Sequence, residues 1–370
     1  MMSLFEGLVE YYRVTGEYQW RQSFMNLFHN IIEQEITIIG NGGGPGIVHG
    51  EGWNNTALKQ INPFNQRMME TCVGVTWLKL CTQILRLTGD PLAMDMIEKY
   101  VYNGLIGAMK PEGDGFSYVN LLNGVKTNPE GWGATINDVY VTCCNLNGPM
   151  GLAYLPYIAV MNSNSGPVVN LYEKGVAKAS TPKGNSLNLK INSDYPVSGN
   201  VSIDVEPEAS EVFTVKLRIP EWSNSTELTV NGEDYAAVAG TYAEIHREWA
   251  PGDQIELQLD MRCRLIEPPV RKDGGNHYFQ ALVRGPVVLA RDENVENQFD
   301  WMGYKGITAP VSIISKNGYV DVIPEEPTIE GTLMQFRVPV SNGYIPMVDY
   351  ASVNNWNNGK HICTWLPKKR

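Results

Sequence analysis

Four side chains stand out by type and spacing: Glu70 and Cys72 in Glu70-Thr71-Cys72, and the adjacent Cys143 and Cys144 much further along the chain. Thiolates and carboxylates are both zinc donors, and four of them make a tetrahedral set. The six cysteines of this 370-residue chain are too sparse for a disulfide scaffold. Neighbouring cysteines such as Cys143 and Cys144 can hardly bridge each other without strain. The alternative to a metal is a set of buried thiols that pack as small hydrophobes. On an ideal helix, residues two apart point to nearly opposite sides, so Glu70 and Cys72 would diverge. In an extended lead-in just before a helix they would share a face, and Pro63 to Met69 could supply one. Cys143 and Cys144 can share an ion only where the backbone is irregular, and the stretch from Val139 to Asn147 precedes a helix.

A metal-bound thiol is held deprotonated near neutral pH and can attack an electrophilic carbon if it stays accessible. Glycoside hydrolysis by double displacement needs such a nucleophile and a proton donor near the leaving oxygen. The candidate donor is Glu51, in the glycine-rich run Asn41 to Trp53, where backbone can approach a ligand closely. A plain surface loop is the alternative for that run. It is not a phosphate-binding loop, because no Lys-Ser/Thr follows. Glu98 and Tyr118 are polar residues in otherwise packed stretches; on residues alone, a solvated helix charge and a core tyrosine explain them. A chemistry on carboxylates alone, using Glu51 and Glu98, is a further alternative.

The formal charge of -11 and a pI near 5.0 argue against a nucleic-acid or anionic-membrane partner. Nine Trp and 18 Tyr suit a neutral, hydroxyl-rich substrate, since ring faces stack on sugar C–H surface. β-Sandwich cores are also aromatic-rich. No apolar run approaches the roughly 20 residues of a membrane-spanning helix, and no basic-then-apolar start suggests a signal peptide, so the default expectation is cytoplasmic.

The elements that must position these residues fall into two textures. Residues 1–162 are predicted helical, with helices over Gln19–Ile36, Cys72–Leu87 and Pro91–Met109. Arg13-Val14-Thr15-Gly16-Glu17 and Arg86-Leu87-Thr88-Gly89-Asp90 repeat one helix-joining turn, with Gly16 and Gly89 suited to a left-handed cap. Repeated helical hairpins signal a stacked or toroidal α/α array, with a small bundle as the alternative. A linker is expected at 162–167. Beyond it, Val168–Tyr172, Leu187–Ile191, Phe213–Ile219, Glu227–Val230 and Gln254–Leu259 alternate as strands between turn dipeptides.

Taken in order, Glu70-Thr71-Cys72, Leu87-Thr88-Gly89-Asp90, Glu98 to Asn103, Phe116-Ser117-Tyr118 and Cys143 to Pro149 resemble glycoside hydrolase family 127, whose best-known members are β-L-arabinofuranosidases. The strand region is similar to it too, in Leu217 to Trp222, Val230-Asn231-Gly232 and Arg284 to Val288. The resemblance implies a multidomain α plus β chain: the C-terminal half of an (α/α)6 barrel at 1–162, a β-sandwich at 163–265, and a second β-rich region at 266–370 packed on the barrel. It implies Zn2+ held by Glu70, Cys72, Cys143 and Cys144. Cys143 would be the nucleophile of a retaining reaction on a carbohydrate, Glu51 its acid and base, and Glu98 and Tyr118 the holders of sugar hydroxyls. It also implies absent barrel helices: either the reading frame is truncated, or a partner chain completes the toroid, or the chain completes it as a homo-oligomer. The competing expectation is a truncated, non-catalytic zinc protein that binds glycan or serves as a subunit.

Overall fold

The computed structural model describes residues 2–44, 51–61, 69–124, 134–136, 139–269, 278–296, 309–353 and 360–369. Among them are helices α1 (Met2–Thr15), α2 (Tyr18–Gln34), α3 (Thr56–Lys59), α4 (Thr71–Thr88), α5 (Pro91–Lys99) and α6 (Cys143–Ala159). The repeated turns take the predicted form. Gly16 and Gly89 sit at φ 69° and 68°, the left-handed region that costs a glycine nothing. The expected helix from Pro91 to Met109 changes pitch instead. α5 runs into a π-helical turn at Tyr100–Leu105 and a 3-10 turn at Ile106–Ala108.

The chain divides into two compact units. One comprises residues 1–87, 99–152 and 262–370; the other comprises 88–98 and 153–261.

In the first unit the helical segment and the C-terminal β region share a single core. Ile38, Ile39, Ile61 and Met69 pack with Ala281, Val288, Val348, Tyr350 and Trp365. Polar ties reinforce it: Asn103 Nδ2 donates to the Pro286 carbonyl at 2.9 Å, and its Oδ1 accepts from Val288 N at 2.8 Å. The last strands, Ile362–Cys363 and Leu366–Pro367, extend the sheet built on Phe279–Arg284 and Val287–Asp292. Ile362–Cys363 also pairs with Asn123–Gly124 from the helical segment. Residues of the expected second β-rich region thus share one core with the helical segment. Leu4, Val14 and Tyr18 remain exposed on α1 and at the start of α2.

The second unit carries two largely antiparallel sheets. One has six strands in the order 233–234, 227–230, 253–258, 200–207, 186–193, 175–180; the other has four, 241–249, 211–219, 166–169, 160–163. Strict alternation of buried side chains with exposed or half-buried ones along Asn200–Pro207 gives its sheet one apolar face, the period-2 signature of a packed strand. The expected linker near 162–167 is a hairpin: Val160–Ser163 pairs antiparallel with Gly166–Val169, so α6 runs straight into the first strand. No described helix is long and apolar enough to cross a membrane.

Candidate metal centre

The four predicted donors converge. The ligand atoms of Glu70, Cys72, Cys143 and Cys144 all lie within 4.8 Å of one another. Cys72 Sγ is 3.4 Å from Cys144 Sγ, and Glu70 Oε1 is 3.6 Å from Cys143 Sγ and 3.8 Å from Cys144 Sγ. Zn–S bonds of about 2.3 Å in tetrahedral geometry put sulfurs about 3.8 Å apart, so this donor set fits zinc in type and spacing.

The local backbone explains the convergence. Glu70 ends a short strand, Met69–Glu70, paired with Val119–Asn120, and α4 begins at the next residue. Cys72 thus sits in the first helical turn while Glu70 lies in the extended lead-in, which lets side chains two apart share a face. Of the predicted lead-in, residues 63–68 lie outside the described residues. Cys143 and Cys144 correct the expectation of irregular backbone, because they are the first two residues of α6. Two helix N-termini therefore meet at the cluster. Their unpaired N–H groups and dipoles favour negative charge, which suits thiolates.

The seam is fixed by buried polar groups. Thr71 Oγ1 donates to the Ser117 carbonyl at 2.6 Å, and Asn41 Nδ2 donates to the Glu70 carbonyl at 3.2 Å. Tyr100, from the π-helical turn, donates its hydroxyl to the Thr71 carbonyl at 3.1 Å. Its ring and backbone are admitted by missing side chains. A Cβ on Gly104 would lie 2.8 Å from the ring, one on Gly40 2.5 Å from Tyr100 N, and one on Gly74 would fall on the ring itself.

Like charges crowd the centre. Cys72 is pushed far above the usual thiol range by its contact with Cys144, by burial, and by the charges of Cys144 and Glu70. Burial first, then Cys72, pushes Cys143 up to about 12. Glu70 is raised by burial, with the Glu51 charge adding to it. Among the described residues, no cationic side chain offsets these groups in that cluster. A divalent ion would supply the missing positive charge and hold the thiols ionised.

Glu51 and Tyr118 belong to the same place. Tyr118, buried, hydrogen-bonds through its hydroxyl to Glu51 Oε1, and it packs against Cys144 with Cys72 at the edge. Glu51 itself is exposed, as is Cys143, so both face outward from the otherwise buried cluster. Residues 45–50 of the glycine-rich run, His49 included, lie outside the described residues.

Glu98 has a different occupation. It is 1% exposed, and its carboxylate is engaged by Arg218, by the Tyr195 hydroxyl at 2.6 Å and by Trp222 Nε1 at 3.0 Å. Those partners leave it no open face for a sugar hydroxyl, contrary to the role expected of it. Asp95 pairs with the same guanidinium, whose Nε donates to the Asn170 carbonyl at 2.9 Å.

Two residues at the site escaped sequence reading. Asn147 lies four residues after Cys143, hence on the same helix face, and its Nδ2 is 3.3 Å from Cys72 Sγ. Glu35, at the end of α2, gathers the N–H groups of Asn54, Asn55 and Thr56 at 2.9, 2.9 and 3.0 Å and fixes the chain just after Glu51. The Asn54-Asn55-Thr56 helix start was the available signal, since its free N–H groups need an acceptor.

Residues 3–156 match the family described as the β-L-arabinofuranosidase GH127 catalytic domain, and residues 167–261 match the GH127 middle domain. The non-reducing end β-L-arabinofuranosidase of Bifidobacterium longum subsp. longum is 28% identical over 255 residues, which is 64% of this chain and 37% of that protein. A GH127 β-L-arabinofuranosidase from Geobacillus stearothermophilus T6 shares the fold at TM-score 0.79 and 22% identity, covering 100% of this chain and 60% of that one. Another GH127 β-arabinofuranosidase does so at TM-score 0.81 and 22% identity, with coverages of 100% and 59%. The chain thus spans less than two thirds of each of these proteins.

Proposed function

From a chain that belongs to glycoside hydrolase family 127, we propose a retaining glycosidase that releases β-L-arabinofuranose or a related sugar from plant-type glycans with a zinc-bound cysteine as nucleophile. The observation that carries this reading is the meeting of three sulfurs and one carboxylate within 4.8 Å, beside an exposed acid. Glu70, Cys72, Cys143 and Cys144 hold the ion, which when bound keeps the sulfurs anionic at neutral pH.

Cys143 is the exposed sulfur of the set and the one open to a sugar. Its Sγ attacks the anomeric carbon as the bond to the leaving oxygen breaks, and Glu51 delivers the proton that oxygen needs. A glycosyl-thioether results. Glu51, now ionised, takes a proton from water; the water oxygen bonds to the anomeric carbon and the C–S bond returns its pair to Cys143. Two displacements restore the starting configuration. Tyr118 orients Glu51 through their hydrogen bond and presents a ring beside the sulfurs.

The test is hydrolysis of p-nitrophenyl β-L-arabinofuranoside by zinc-loaded protein, with Cys143→Ala alongside. The variant is expected to stay folded, keep part of its zinc and lose turnover by on the order of 10⁶-fold, as nucleophile removals do. Full activity in the variant would sink the nucleophile role. A folded, zinc-loaded parent with no turnover would favour a second reading: a zinc-containing protein that binds glycan or serves as a subunit.

A further inference from the structure

The three sulfurs of the cluster are not equivalent in their surroundings. Asn147 Nδ2 lies 3.0 Å from the Cys143 carbonyl and 3.3 Å from Cys72 Sγ. A carbonyl oxygen can only accept, so the amide must present its NH2 group there, and that group has two hydrogens for two acceptors. One goes to the first residue of α6, the other to a sulfur in the first turn of α4. Among the described residues, Cys72 is the one sulfur of the cluster that receives an amide N–H. All three sulfurs contact Glu70, and only Cys143 is exposed.

We propose that Asn147 is a positioning residue that pins Cys72 as a permanent metal ligand. An N–H donor stabilises the lone pairs of a thiolate and orients them, as outer partners of metal ligands do. With Cys72 held in this way, the sulfur left free to exchange the ion for an anomeric carbon is Cys143. The inference rests on the metal-site reading above and adds to it a division of labour between sulfurs.

Asn147→Ala and Asn147→Asp separate this role from helix packing. Asp matches Asn in shape and, near the start of α6, suits the helix dipole, so a packing role predicts no harm from it. The positioning role predicts the reverse, because a carboxylate oxygen would replace the donor beside a sulfur anion. Zinc affinity is read by competition with a chromophoric chelator, the thiolate-to-cobalt charge-transfer band by substitution with Co2+, and the metal-free fold by thermal unfolding. Expected are a zinc affinity about 10–100-fold weaker in Asn147→Ala, a larger loss in Asn147→Asp, a charge-transfer band moved to lower energy in both, and an unchanged metal-free melting temperature. Parent-like affinity and band position in Asn147→Asp would overturn the proposal, as would losses that merely follow a lowered metal-free stability. A parent that takes up neither zinc nor cobalt would bring down the metal-site reading and this inference with it.

Discussion

Each unit of this chain buries a cluster of acidic groups, and the two clusters follow opposite charge logic. In the unit containing residues 153–261, Asp95 and Glu98 face the buried guanidinium of Arg218, so negative charge is answered inside the protein. In the other, Glu70 and three thiols face one another, with Glu51 alongside, and no described cationic side chain answers them in that cluster. A buried carboxylate is therefore no guide to function until its partners are known. Balanced by a resident arginine, it is architecture; left in surplus, it suits a cation from outside.

The sharpest way to break this contrast is to remove the resident cation. Arg218→Met leaves Asp95 and Glu98 buried without a countercharge, and its cost is expected at about 3–5 kcal/mol in chemical denaturation. Near-parent stability would show that the two clusters do not differ as argued. The next largest effect is on the sulfur cluster. Zinc at a hundredfold over its dissociation constant should stabilise the parent by about 2.7 kcal/mol, reversed by chelator, and should leave Cys72→Ala-Cys144→Ala protein nearly unmoved. Equal stabilisation of both would place the ion elsewhere.

The smallest effect sharpens the balanced side. Burial pushes Asp95 up to about 7 although Arg218 pulls it down. A carboxyl raised from about 3.8 on folding keeps its proton while the unfolded chain loses its own. Its contribution is intact below about pH 4 and is lost as pH climbs towards 7. The urea midpoint of the parent should fall over that window relative to the same titration of Asp95→Asn. A flat difference between the two titrations would mean that Arg218 holds Asp95 ionised throughout.

Much of this was legible in residue order alone. The matching turns at Gly16 and Gly89 announced the hairpins, because a left-handed cap has few chemical solutions. The alternating strands announced the sheets, since a half-buried strand must repeat every two residues. The donor set was legible by residue type. Glu98 was misread because its decisive partner, Arg218, is remote in the chain and leaves no local trace in the pattern around residue 98. Glu35 and Asn147 were missed for the converse reason: each acts on backbone or sulfur that another element brings to it.

The slot around Tyr100 has a consequence for how such a site can drift. The phenol that steadies the peptide between Glu70 and Cys72 fits only because Gly74 and Gly104 offer no side chain, and the backbone that carries it because Gly40 offers none. Three positions that bear no functional group thereby set the bite of the ligands. A census of donor atoms alone would pass over a lineage that had kept every sulfur and lost its grip through one added methyl group.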